Sequence, residues 1–382
     1  QATVYEAGLA TGSNPSSDSE TTIGTIDISA KDGLTSVTIG GTEITQAALL
    51  NSSSVNITIN TGEGTLVING FTPTDSTHAD GSGTINYTYT LNAQQAHATG
   101  AGNNEFTDTI ALIVTDRNSD TANGTLTVTI IDDVPTAVAD GTTTLVENGV
   151  TVTHATEGNL LTNDTIGADA TGAYINQITY INESDDSATA TIASGGSVTV
   201  DTKNGSLTVY SDGRWSFTSD TTVVNTLGAP LSESFTYRLR DGDGDTSSAT
   251  KTFSITDTSP SIGVPVDAVV YEASLPTGTN PSATTEAASQ TLGVIGGGDT
   301  FDTTFDAPIV LSNLKSGGHD VTYSVSPDGH TLTASANGNT VFTVVITDPT
   351  ANSAGYTFTL VRPLDHTSLV DGLDGTIDLP FT

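Results

Sequence analysis

Residues 234–257 read SFTYRLRDGDGDTSSATKTFSITD. Apolar and polar residues alternate over 234–241 and again over 252–257, and the seven residues that follow the first run, 242–248, are Gly, Asp, Thr and Ser. Alternation with period two belongs to half-buried β-strands, and the small polar run between them belongs to a turn. The stretch is therefore a β-hairpin with an acidic loop. Working outward, the same alternation recurs in SVNITIN (54–60), TLVING (65–70), TINYTYTL (84–91), DTIALIVTD (108–116), SLTVYS (206–211), RWSFTS (214–219), TVFTVVITD (340–348) and YTFTLV (356–361). Asn204-Gly205, Asp212-Gly213, Asp328-Gly329 and Asn337-Gly338 suit hairpin turns between such strands. Thr, Val and Ile fit a pleated, half-buried surface. A helical period shows only around 45–51 (TQAALLN), so the expected fold class is all-β.

Repeats divide the chain. Residues 4–15 (VYEAGLATGSNP) and 270–281 (VYEASLPTGTNP) agree at nine of twelve positions. Two strand patterns end in Asp and then Pro: TLTVTIIDD before Val134-Pro135, and TFSITD before Thr258-Ser259-Pro260. A proline cannot donate to a strand ladder, so it punctuates. The expected units are 1–133, 134–260 and 261–382, each near the size of one β-sandwich. The third reaches TIDLPFT (376–382) without the closing hairpin of the other two. It is expected to lack its last loop and strand, being truncated or split.

Composition narrows the function. Of 382 residues none is Cys, Lys plus Arg number 9, Asp plus Glu number 44, and the net charge is −35. Disulfides, thiolate metal sites and a cysteine nucleophile are excluded. So acidic a chain repels nucleic acid and anionic lipid and attracts cations. No apolar run approaches the ~20 residues of a membrane span.

The sharpest chemical motif is Asp241-Gly242-Asp243-Gly244-Asp245. Carboxylates at i, i+2 and i+4 with glycines between them fold around a hard cation, and Ca²⁺ takes six to eight such oxygens. The motif is no EF-hand: the sixth position is Thr246, the twelfth is Thr252, and the flanks are strands. In a seven-stranded sandwich the last hairpin loop returns to the end where the chain enters. Asp132 and Asp133 of the linker, and Asp140 just beyond, are expected at that same end. In the first unit Asp116 and Asp120 hold the matching loop, with Glu6 as a further ligand. Asp257 and Glu272 are available at the second junction. Glu6, Glu147 and Glu272 each follow a Tyr or Val closing a short apolar run; the bland alternative for all three is an exposed strand residue. The alternative for the 241–245 loop is a solvated acidic turn.

Other motifs carry less. His78, His97, His154, His319, His330 and His366 form no metal-ligand spacing and are read as structural. His97 and His366, following YTYTL and YTFTL, share one position. Trp215 is read as a core aromatic. No nucleophile elbow, Walker loop or dinucleotide fingerprint occurs, and no carboxylate pair stands out as a glycosidase site, so an enzyme is not expected.

The repeats VYEAGLATGSNP and VYEASLPTGTNP, with YTFTLVRPLDH (356–366), resemble those of giant RTX-type bacterial adhesins exported by type I secretion. EGNLLTND (157–164), SLTVYSDGRWSF (206–217) and FTYRLRDGDGD (235–245) resemble the VCBS and cadherin-like repeats of the same proteins. RNSD (117–120) departs from their acidic loop, and the RTX nonapeptide is absent. The resemblance implies tandem Ig-like and cadherin-like β-sandwich domains in an extended arrangement, with Ca²⁺ at the junctions. It implies a secreted stalk at the bacterial cell surface that serves adhesion and biofilm formation. Its partners are then calcium and the neighbouring repeats. The alternative is a ligand-binding region for a host or cell-surface glycan or peptide, and a surface hydrolase ranks below both.

Overall fold

The computed structural model describes residues 2–77, 79–100, 102–147, 150–221, 223, 228–297, 300–306 and 314–366. His78 and the stretch 376–382 lie outside them. The fold is all-β, as the alternation predicts. The strand Gly83–Leu91 shows how directly: buried and half-buried residues alternate along its whole length.

Two sheets face each other in the first part of the chain. One runs in the order Ala2–Tyr5, Thr121–Ile131, Glu105–Asp116, Leu34–Ile39, Thr42–Thr45; the other in the order Thr21–Ile28, Gly83–Leu91, Gly64–Pro73, Ile57–Asn60. Val4, Ile39, Ile68, Ile85, Val128 and Ile130 are fully enclosed between them. The opening strand pairs in parallel with Thr121–Ile131, from Ala2 opposite Val128 to Tyr5 opposite Ile131. This single pairing fixes where Glu6 emerges.

A second pair of sheets follows. Thr142–Val146, Thr246–Thr256, Leu231–Arg240, Tyr174–Ile181 and Ser187–Thr191 form one; Thr151–Thr153, Trp215–Ser219, Gly205–Tyr210 and Ser197–Thr202 form the other. Their core is aromatic: Phe217 stacks on Phe253 at 4.3 Å, and Trp215 tilts against Phe253 at 5.4 Å. Trp215 is a core residue, with its indole N–H donated to the Gly158 carbonyl at 3.0 Å. Further along, Ala287–Thr291, Gly355–Leu360, Asn339–Thr347, Thr331–Ala336 and Thr322–Val325 make a five-stranded sheet. It covers a core around Leu332, Val341, Phe342 and Phe358. By contact density the chain forms two compact units. One is residues 1–144, 151–218 and 232–254; the other is 145–150, 219–231 and 255–382.

The expected helical turn is present as Gln46–Leu50, capped by the Thr45 hydroxyl, which accepts the Ala48 N–H. A second short helix, His154–Glu157, was not legible in the sequence. Among the described residues no helix is long and apolar enough to cross a membrane.

Turn chemistry holds at one predicted hairpin and shifts at another. Asn337 and Gly338 have φ of 49° and 75°, both left-handed, between the paired residues Ala336 and Asn339. That is the type I′ geometry the Asn-Gly pair favours. Replacing Gly338 with Ala should cost about 1 kcal/mol, because a Cβ disfavours that region; chemical denaturation measures it. At 204–205 the turn is instead Lys203-Asn204, since Thr202 pairs with Gly205. Gly205 serves a close approach there: a Cβ would lie 2.3 Å from the Thr218 carbonyl oxygen.

Candidate metal centre

The strands Leu231–Arg240 and Thr246–Thr256 hold the loop 241–245. Asp241 winds this loop on itself, its Oδ1 accepting the backbone N–H groups of Gly244 at 2.9 Å and Asp245 at 2.7 Å. A carboxylate that accepts its neighbours' N–H groups is a turn former. Gly242 lets the loop lie flat against 169–171: its N–H donates to the Asp169 carbonyl at 2.8 Å, and a Cβ would meet the Thr171 carbonyl at 2.3 Å. Gly244 supplies a φ of 120°. The glycines thus serve geometry, and they turn Asp243 and Asp245 the same way.

Asp132 faces them from the end of the strand Thr121–Ile131. Asp132, Asp243 and Asp245 each offer a carboxylate oxygen, and these oxygens lie within 4.8 Å of one another. Asp245 also accepts the Gly102 N–H at 2.9 Å. A second group shares Asp132: ligand atoms of Glu6, His97 and Asp132 also lie within 4.8 Å of one another. The parallel register explains Glu6. With Tyr5 opposite Ile131, the next residue of each strand is Glu6 and Asp132.

The electrostatics of the cluster are severe. Glu6 and Asp241 are 0% exposed, Asp132 2%, Asp245 4% and Asp169 6%. One carboxylate oxygen on each of these, and on half-buried Asp243, is buried without a hydrogen-bond partner. Charge without compensation is costly at such depth. Burial first, then the neighbouring acids, pushes Asp132 up to about 8 and Asp241 up to about 7. Glu6 and Asp169 are raised as well, each chiefly by burial. Burial opposes charge on His97, but the Glu6 carboxylate outweighs it and raises the imidazole.

The other predicted residues fall in several places. Asp133 sits beside the cluster, but its carboxylate is used by the chain: Oδ2 accepts Ser13 N–H at 2.7 Å and Ala168 N–H at 3.0 Å, and Oδ1 accepts the Ser13 hydroxyl. Asp140 belongs to neither trio. It lies near Asp164, Tyr237 and Lys251, and burial pushes it up to about 6. Asp116 closes its own turn, accepting the N–H groups of Asn118 and Asp120. The expected grouping of Glu6 with Asp116 and Asp120 is corrected. The 116–120 loop opens the strand Thr121–Ile131, whereas Glu6 stands at that strand's far end, on the order of 30 Å away at ~3.3 Å per residue.

Glu147 is 0% exposed, its Oε1 accepting both the N–H and the hydroxyl of Thr258, next to Asp257. Glu272 accepts the Leu364 N–H at 2.7 Å and faces His366 at 3.4 Å. Glu6 and Glu147 are therefore buried, not exposed strand residues. His154 contacts the Trp215 carbonyl at 3.2 Å, His330 pairs with Asp302 at 2.8 Å, and His319 is exposed. Sequence reasoning missed Asp169 and placed His97 outside any ligand set. The signal for His97 was the matched spacing YTYTL-x5-His and YTFTL-x5-His, since both histidines meet the glutamate of the repeated VYE.

A cleft of about 480 Å³ outside this cluster is lined by Thr25, Ile26, Leu112, Thr125, Leu126 and Thr127, with no aromatic or ionisable side chain among them.

No protein-family model matches the sequence, and no curated protein matches it. Among solved structures the chain is similar to the Drosophila N-cadherin EC1-4 region, at 11% identity and a TM-score of 0.27, over 76% of this chain and 62% of that one. It is similar to the Protocadherin GammaB4 extracellular domain at 11% identity and a TM-score of 0.28, over 94% of this chain and 47% of that one. For Sidekick-1 immunoglobulin domains 1-4 the identity is 10% and the TM-score 0.19, over 94% of this chain and 73% of that one. The chain thus spans less than two thirds of the length of both cadherin structures. The all-β class rests on the sheets themselves.

Proposed function

We propose that this chain is a calcium-stiffened stalk segment of a secreted bacterial surface adhesin, built from units 1–133, 134–260 and 261–382 and without catalysis. One observation carries the calcium reading. Asp132, Asp243 and Asp245 bring carboxylate oxygens within 4.8 Å of one another, and each has a buried oxygen with no hydrogen-bond partner. Oxygen-only donors of high charge suit a hard cation of flexible coordination, which is Ca²⁺. Asp132, Asp243 and Asp245 would hold the ion, with Asp241 and Asp169 beside them. Bound there, it would lock the acidic loop of one sandwich to the exit strand of the sandwich before it. The sequence resemblance to adhesin repeats supports the wider role in attachment.

Calorimetric titration of EDTA-treated protein with CaCl₂ tests the site. Saturation with Kd on the order of 10⁻⁴–10⁻³ M is expected, the range of extracellular modules. Asp243→Ala with Asp245→Ala should remove it. Titration without binding heat in the unaltered protein would end the calcium reading.

A further inference from the structure

We propose a second cation position beside the first, formed by Glu6, His97 and Asp132. It is of the imidazole–carboxylate type that takes Zn²⁺ or a similar first-row divalent ion. It rests on the calcium reading only in sharing Asp132; Glu6 and His97 stand outside the calcium trio.

The tautomer of His97 is fixed by its surroundings. The Asn104 side-chain amide donates through Nδ2 to the Ala98 carbonyl at 2.6 Å, so its Oδ1 is the atom facing His97 Nδ1 at 2.8 Å. An amide oxygen only accepts, so Nδ1 carries the proton. Nε2 is then the nitrogen turned inward, 3.0 Å from Glu6 Oε1, and both side chains are 0% exposed. A ligating histidine is held in this way, with its outer nitrogen donating to an oxygen that sets the ring's tautomer and angle.

The carboxylates are poised to match. Glu6 Oε1 accepts the Gln95 N–H at 2.6 Å, which fixes the group, while Oε2 is buried without a partner. Asp132 Oδ1 accepts the Asp133 N–H at 2.8 Å, while Oδ2 is buried without a partner. Both orphaned oxygens are acceptors with no donor to meet them. One divalent cation within reach of Glu6, His97 and Asp132 satisfies both.

The donor set separates this position from its neighbour. Imidazole suits Zn²⁺ and its first-row relatives, whereas Ca²⁺ prefers oxygen throughout. The 3.0 Å edge between Nε2 and Oε1 also fits bonds of about 2.0–2.2 Å to one ion. The repeated pair Glu272 and His366 is looser, at 3.4 Å, with side chains 32% and 22% exposed. No third acid joins it among the described residues. The complete position is therefore the one built on His97.

The test is a titration of EDTA-treated full chain with ZnCl₂ in the presence of saturating CaCl₂, followed by calorimetry, with the visible absorption of Co²⁺ as a second probe. One equivalent should bind with micromolar or tighter Kd. His97→Ala, and separately Glu6→Gln, should weaken binding about 100-fold or more while leaving the calcium-induced rise in Tm, which confirms the fold. Asp243→Ala with Asp245→Ala should do the reverse, and His330→Ala, at an imidazole–carboxylate contact elsewhere in the chain, should change neither. Zinc without calcium binding in the unaltered protein would sink the calcium reading and leave this one standing. The proposal is overturned if zinc does not bind, if His97→Ala leaves zinc binding unchanged, or if the 243/245 double variant abolishes it.

Discussion

In about 10 mM CaCl₂ the midpoint of thermal unfolding should stand about ten degrees above that of the EDTA-treated protein. At the tight end of the expected range, a Kd of about 10⁻⁴ M, the ion is present at about 100 times its Kd and stabilises the folded state by about 2.7 kcal/mol. One kcal/mol moves the midpoint of a domain this size by about 4 °C. The double change Asp243→Ala and Asp245→Ala should produce crossing behaviour. Without calcium the variant should melt above the parent, because two charges facing Asp132 are gone. With calcium it should melt below the parent, because the ion no longer binds. Differential scanning calorimetry of both proteins with and without calcium gives all four values. Equal midpoints for the parent in calcium and EDTA would mean that the 241–245 loop, with Asp241 and Asp245 buried, holds its shape without an ion.

The second large effect is on pH dependence. In the ion-free protein Asp132 is pushed up to about 8 and Asp241 to about 7, burial being the first cause in each. Their unfolded values are near 3.9. Between these limits the folded state binds more protons than the unfolded state, so stability falls as pH rises. The stabilisation is complete below about pH 4 and is lost as pH climbs through about 7 to 8. In EDTA, Tm should therefore drop steadily from about pH 5 to about pH 9. With saturating calcium the ion replaces those protons, and the calcium-induced gain in Tm should grow over the same range. A Tm in EDTA that stays level or rises across that range would refute the raised pKa values of the buried carboxylates.

How far the sequence could be read follows from what kind of information each residue needs. Asp241, Asp243 and Asp245 were legible because their convergence is local, set by a five-residue loop whose glycines permit one winding. The all-β class was legible because burial alternates along single strands, as in Gly83–Leu91. Glu6 was assigned to the wrong end of its sandwich because its neighbours depend on a parallel register between strands about 125 residues apart, which periodicity does not encode. Asp169 had no motif at all; only the packing of Gly242 against its backbone brings it to the cluster. His97 left a trace in its spacing after YTYTL, but the meaning of that spacing depends on Glu6 arriving opposite.

The opening strand Ala2–Tyr5, laid parallel along Thr121–Ile131, also decides how the sandwich would answer a pull on its two ends. Tension applied at Ala2 and Asp132 would pull two parallel neighbours in opposite directions along their shared axis. Their hydrogen bonds then lie across the pull and share it at once, in shear, rather than opening one after another from an end. A structure clamped in this way resists stretching until the whole ladder gives. The acidic cluster sits where that ladder ends, so a bound ion would fasten the last rung.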